Sequence, residues 1–161
     1  MLDLQPLIEK FGLTQSEFRG NRRVVVAADR VYSLLETLKN SHGFNMLIDV
    51  TCVDYLEYEG ATDRFGVVYC LLNMSTGDRL IVKTLINDPT PTLPTVTTLW
   101  MGADWMEREV YDMFGITFTG HHDLRRILMP DEFSAFPLRK DYPLKGRGER
   151  HNFPVITRSE S

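Results

Sequence analysis

Three runs of the chain decide its fold: Met-Leu-Ile-Asp-Val-Thr-Cys-Val-Asp-Tyr-Leu (46–56), Phe-Gly-Val-Val-Tyr-Cys-Leu-Leu-Asn (65–73) and Arg-Leu-Ile-Val-Lys-Thr-Leu-Ile (79–86). Each is rich in β-branched and aromatic residues, which suit a pleated, half-buried surface, so each predicts a strand. Their separators, Glu59-Gly60-Ala61-Thr62-Asp63 and Ser75-Thr76-Gly77-Asp78, carry turn residues. Short loops of that kind join antiparallel neighbours.

Working outward, residues 22–28 read as a further strand through Val24-Val25-Val26. Asp29 then stands where an N-cap belongs before Val31, Leu34, Leu35 and Leu38, one apolar helical face that Gly43 closes. Earlier still, Leu4, Leu7, Ile8 and Phe11 recur at spacings of three and four, which predicts a helix over 2–11 stopped by Gly12. In the other direction, Pro89, Pro91 and Pro94 lack amide donors, so 89–94 is expected as a rigid connector outside any ladder. Residues 95–113 have helical spacing interrupted near Gly102, with Gly115 as the stop. Beyond Gly120 both periods vanish among Pro130, Pro137, Pro143 and Pro154.

The expected class is therefore α+β, two-layer, with helices packed on one face of a mainly antiparallel or mixed sheet. Residues 1–120 form the core domain, and 121–161 an extended C-terminal docking arm that is not an independent domain. Ordering such an arm costs about 1–2 kcal/mol per residue, so its order is expected to come from a partner surface.

A chain of 161 residues with 43% hydrophobic content can bury a real core. The net charge of -4 argues against nucleic acid as the main partner, since phosphate neutralisation needs a basic surplus. Residues 1–120 carry 10 basic against 16 acidic side chains, net -6, whereas 121–161 carry 8 against 6, net +2. A basic, proline-rich arm suits docking on an acidic neighbour. Cys52 and Cys70 are too few for an iron–sulfur cluster and are read as buried thiols, not a disulfide. No export signal and no run of ~20 apolar residues is present, so membrane association is expected to be indirect.

The densest polar cluster is Glu107-Arg108-Glu109-Val110-Tyr111-Asp112, which a helix would turn into a charged face for docking or ion pairing. Trp100, Trp105, Tyr111 and Phe114 are expected as core or interface anchors. His121, His122 and Asp123, with the Glu107–Asp112 carboxylates, offer the rival reading of a free-standing metal-dependent hydrolase, although adjacent ligands alone are a weak signal. Asp123-Leu124-Arg125-Arg126 and Pro137-Leu138-Arg139-Lys140-Asp141-Tyr142-Pro143-Leu144 mix apolar anchors with Arg forks, a composition that fastens an arm to protein.

Three blocks, residues 107–121, 123–130 and 137–144, together resemble the signature of the thirty-kilodalton subunit of NADH:quinone oxidoreductase, complex I. Upstream, Gly-Phe-Asn-Met-Leu-Ile-Asp (43–49), Val-Asp-Tyr (53–55), Arg-Phe-Gly-Val-Val-Tyr (64–69) and Leu-Pro-Thr-Val (93–96) through Trp100 resemble it too. His122 departs from the family's usual Pro, and beyond Leu144 the family diverges in length, so the resemblance assigns no contacts to Arg147 to Ser161. The resemblance implies the bacterial C subunit, a non-catalytic peripheral-arm subunit at the cytoplasmic face of the cell membrane. Its implied partners are the quinone-site subunit of the forty-nine-kilodalton type and other peripheral-arm subunits. FMN and iron–sulfur clusters are implied in those partners and no cofactor in this chain. It marks Glu107, Arg108, Glu109, Asp112, Arg125, Arg126, Arg139, Lys140 and Asp141 as signature and interface positions. The same features also fit the equivalent subunit of a membrane-bound hydrogenase or of a ferredoxin- or F420-linked complex.

Overall fold

The structure, a computed structural model, describes residues 2–149. Helix α1 (Gln5–Phe11) is followed by a hairpin of β1 (Thr14–Phe18) and β2 (Asn21–Val26), then α2 (Val31–His42). Three long strands come next, β3 (Met46–Asp54), β4 (Phe65–Leu72) and β5 (Arg79–Ile86). A short β6 (Thr92–Pro94), helix α3 (Ala103–Phe114) and β7 (Thr117–Thr119) complete the set.

The main sheet runs β1-β2-β5-β4-β3 and is mixed, because β2 pairs with β5 in parallel while every other pair is antiparallel. The strand periods predict this surface well. Alternate residues Val67, Tyr69 and Leu71 of β4 face inward with Leu80, Val82 and Thr84 of β5. In β3 the alternation slips at Ile48, where a bulge lets both Leu47 and Val50 point inward. Val31, Leu34, Leu35 and Leu38 of α2 and Ala103, Val110 and Phe114 of α3 close the same core. Each fully buried Val, Leu or Phe contributes about 1.5–3 kcal/mol relative to exposure.

Four expectations need correcting. Strand β1 is additional to the expected elements, since its five residues are all exposed and show no alternation. Asp29 does not cap α2: it lies in a 3-10 turn, Ala28–Arg30, beside Arg30 on the surface. The proline segment does enter a ladder, because β6 pairs in parallel with β7. Proline lacks a donor but its carbonyl still accepts, so Pro91 O takes the Thr117 amide at 2.9 Å and Thr95 N reaches Thr119 O at 3.0 Å.

The fourth correction concerns the arm. Residues 121–149 are irregular, as expected, but they lie on the chain's own core: Phe133 is buried, and Leu138 N donates to Met113 O at 3.1 Å. Contacts to the chain's own core thus run along this stretch, while 150–161 lie outside the described residues. Cys52 and Cys70 are free, and sheet alternation sends them to opposite faces.

Candidate functional site

Helix α3 organises the signature residues. One side packs on the sheet, and the arm covers another, so Glu107, Arg108 and Asp112 are all buried and only Glu109 of the acidic cluster stays exposed. The charged face predicted for docking or ion pairing is turned inward, with Asp112 paired to Arg126, for a physical reason: irregular backbone leaves amide donors that need acceptors, and buried carboxylates on α3 supply them.

Asp112 is the main anchor. Its Oδ2 accepts the amides of Ile127, Leu128 and Met129 at 3.0, 2.7 and 2.9 Å, and its Oδ1 accepts Arg126 Nη1 at 2.7 Å. Burial alone would push this carboxyl up; the three amides and Arg126 outweigh it and hold the group below its ordinary value. Arg126 also donates to Ala135 O at 3.0 Å, tying the arm to itself.

Asp54, at the end of β3, is the second anchor. It accepts Arg64 Nη2 at 3.1 Å, the Leu56 amide at 3.0 Å and the Lys140 amide at 2.9 Å. Burial opposes ionisation here as well, but the Arg64 hydrogen bond, the two amides and the Arg64 charge keep its pKa lowered. Arg64 in turn reaches Asp88 at 2.6 Å and Asp141 at 2.9 Å. Arg139 donates from Nε to Phe114 O at 2.5 Å, and its guanidinium lies 4.9 Å from the Phe136 ring. Phe136 packs under Gly115, where an added Cβ would come within 2.5 Å of the ring. Gly115 also has φ +75°, so two independent constraints select glycine.

The nine signature positions thus divide. Asp112, Arg126, Arg139 and the backbone of Lys140 bind the arm to the core, and Asp141 joins through Arg64. Arg108 stacks on Trp105, 4.9 Å from its ring, and donates to Arg125 O. Glu109 and the side chains of Arg125 and Lys140 face outward, the Arg125 guanidinium pairing with Asp123 at 3.0 Å. Trp100 and Phe114 are core residues, while Trp105 is 62% exposed beside exposed Met101.

His121, His122 and Asp104 bring three possible ligand atoms within 4.8 Å of one another, whereas Asp123 is turned to Arg125. Adjacency along the chain points to Asp123 as the third ligand, but helix α3 delivers Asp104 from 17 residues away. The hydrogen bonding does not suit a metal. The Asp123 amide donates to His121 Nδ1 at 3.1 Å, so Nε2 carries the proton in the neutral ring. A ligating imidazole needs the reverse arrangement, with its other nitrogen donating.

The whole of this geometry falls inside one known family. The family model of the respiratory-chain NADH dehydrogenase 30 Kd subunit matches residues 24–148. The chain belongs to that family. The C subunit of NADH-quinone oxidoreductase from Geobacter sulfurreducens is 46% identical over 143 residues, 87% of each chain. Its counterpart from Thermus thermophilus is 45% identical over 78% of this chain and 63% of its own. Among solved structures, a trypsin-resistant fragment of Nqo5 matches with TM-score 0.69 and 38% identity, covering 75% of this chain and 98% of the fragment. A chain of an archaeal respiratory membrane complex, the membrane-bound sulfane sulfur reductase, matches with TM-score 0.77 and 26% identity, covering 96% and 91%. Membership in this family accounts for the α+β fold, and among the described residues no helix is long and apolar enough to cross a membrane.

Proposed function

We propose that this family member is a peripheral-arm subunit of a proton-translocating NADH:quinone oxidoreductase, that it scaffolds the quinone-site subunit of the forty-nine-kilodalton type at the cytoplasmic face of the membrane, and that flavin and iron–sulfur clusters reside in its partners. The carrying observation is the family match over residues 24–148, supported by 46% identity to a C subunit of that enzyme across 87% of both chains.

Two surfaces suit such a role. Among the described residues the helices cover one face of the main sheet. The other presents Val25, Val68, Ile81, Leu85 and Val53 on adjacent strands at partial or full exposure. A broad apolar sheet face of this kind marks an interaction site. A second patch carries Met101, in the turn before α3, and Trp105 on the helix, both exposed, and an aromatic residue flanked by an arginine is a common interface anchor. Because the arm is already fastened to the core, docking would use it as a preformed surface.

The test is affinity purification of the tagged chain from detergent-solubilised membranes. The quinone-site subunit and NADH dehydrogenase activity should be recovered together. Recovery of the chain alone would defeat the proposal. The likeness to the sulfane sulfur reductase chain supports a second reading, the equivalent position in a complex with another electron donor. Recovery of a quinone-site-type partner without NADH oxidation would favour it.

A further inference from the structure

Glu107 is fully buried, and no Lys or Arg pairs with it among the described residues. Its Oε1 accepts the Val96 amide at 2.7 Å and its Oε2 the Thr95 hydroxyl at 2.5 Å. Arg108, the next residue, turns away to Trp105 and Arg125. The titratable groups facing Glu107 are Asp104 on its own helix, Tyr69 from β4 with Cys52 of β3 behind it, and His121 after β7, whose Nε2 is 4.0 Å from Oε2. The Tyr69 hydroxyl is buried without a hydrogen-bond partner among the described residues.

From this carboxylate two polar paths lead to one open cleft of about 450 Å³, lined by Thr97, Thr98, Met101, Asp104, Gly120 and His122. The first runs through hydroxyls, Glu107 to Thr95 and then Thr97 at 3.0 Å. The second is a chain of ionisable groups in which the His121 Nε2–H serves as a donor. His121 Nε2 lies 3.1 Å from Asp104 Oδ1, and Asp104 Oδ2 lies 3.7 Å from Nε2 of exposed His122. The two imidazoles stack with centroids 5.2 Å apart. Asp104 Oδ1 is itself buried and makes no well-aligned hydrogen bond among the described residues.

We propose that Glu107, with the His121 Nε2–H and Asp104 beside it, is a proton-binding site that exchanges with solvent through the Thr95–Thr97 hydroxyls. Two buried or half-buried carboxylates beside one imidazole hold excess negative charge, and a proton on Glu107 relieves it. Burial, with the Asp104 charge adding to it, pushes the Glu107 carboxyl up to about 7 against the pull of Thr95 and Val96. When the proton sits on Glu107, its hydroxyl can donate to Thr95 Oγ1, whose own proton then turns to Thr97, so the Thr95–Thr97 turn keeps its anchor with the hydrogen bonds reversed. This site stands independently of the docking assignment.

The test uses the full chain with isotope-labelled Glu and His, read by NMR from pH 5 to 9. The Glu107 carboxyl carbon should titrate near neutrality, and the His121 ring should report the same event. A Glu107 midpoint below pH 5 overturns the proposal. Stability gives a second readout: a group whose folded pKa is raised stabilises below its unfolded value, and that contribution is lost as pH rises through the folded value. The unfolding constant of the parent relative to Glu107→Gln should therefore grow about tenfold per pH unit between pH 5 and 7. Parallel profiles would overturn it as well. Should Glu107→Gln fail to fold, Thr95→Val serves instead: losing a hydroxyl donor must move the Glu107 midpoint upward, and an unmoved midpoint counts against the site.

Discussion

Replacing Asp112 by Ala would strand three backbone amides and the Arg126 guanidinium at once. Breaking a buried, multiply bonded ion pair costs about 3–5 kcal/mol, so Asp112→Ala should unfold at clearly lower urea concentration. The same carboxylate sets an acid limit. Its folded pKa is depressed, so its stabilisation is present above the ordinary value of 3.8 and is lost as pH falls through the lower folded value. Acidification from pH 7 to 3 should therefore cost the parent more stability than Asp112→Asn, as read from urea midpoints at both pH values. Glu107 acts in the opposite sense and in a higher window, since burial raises its pKa. At Gly115, Ala would combine positive φ with a 2.5 Å approach to Phe136. A loss of about 2–4 kcal/mol is expected for Gly115→Ala, seen as a melting temperature lower by roughly 4–16 °C.

Among elements, the arm is the one whose behaviour differs most from its sequence. It has no helix or strand of its own between residues 121 and 149, yet two acidic anchors on α3 and β3 hold its backbone. Limited trypsin digestion of the isolated chain should therefore spare the bonds after Arg125 and Arg126 while cutting first near exposed Lys145 and Arg147. In Asp112→Asn the bonds after Arg125 and Arg126 should become early sites. Equal cleavage there in both proteins would show that the anchor does not order the arm. The small β6–β7 ladder answers the same shortage of donors: Pro91 supplies a carbonyl to the Thr117 amide, and Thr95 supplies an amide to Thr119 O.

For the whole molecule, the open sheet face and the Trp105 patch make distinct predictions from the buried core. Val53→Glu and Trp105→Ala alter exposed side chains, so each should shift stability by about 1 kcal/mol or less. Both should nevertheless reduce recovery of the quinone-site partner from solubilised membranes. Normal recovery with both variants would move the docking surface elsewhere on the molecule.

Local chemistry carried much of the fold in readable form. The turn residues around Gly60 and Gly77 bounded β3, β4 and β5, apolar spacing set α2, and Gly43 and Gly115 stand in left-handed C-caps where helices stop. The family blocks at 107–144 were equally visible, because identity at fixed spacing needs no coordinates. Tertiary structure alone decided where the charges went. Helical spacing on α3 placed Glu107, Arg108 and Asp112 on the helix, but not which sides were covered, since the cover comes from an arm without periodicity. It also decided that Asp104, not Asp123, meets the two histidines, and that amides 15 to 17 residues away share one carboxylate oxygen. Periodicity reports a segment's own faces; the partner that buries each face is set by contacts between segments distant in sequence.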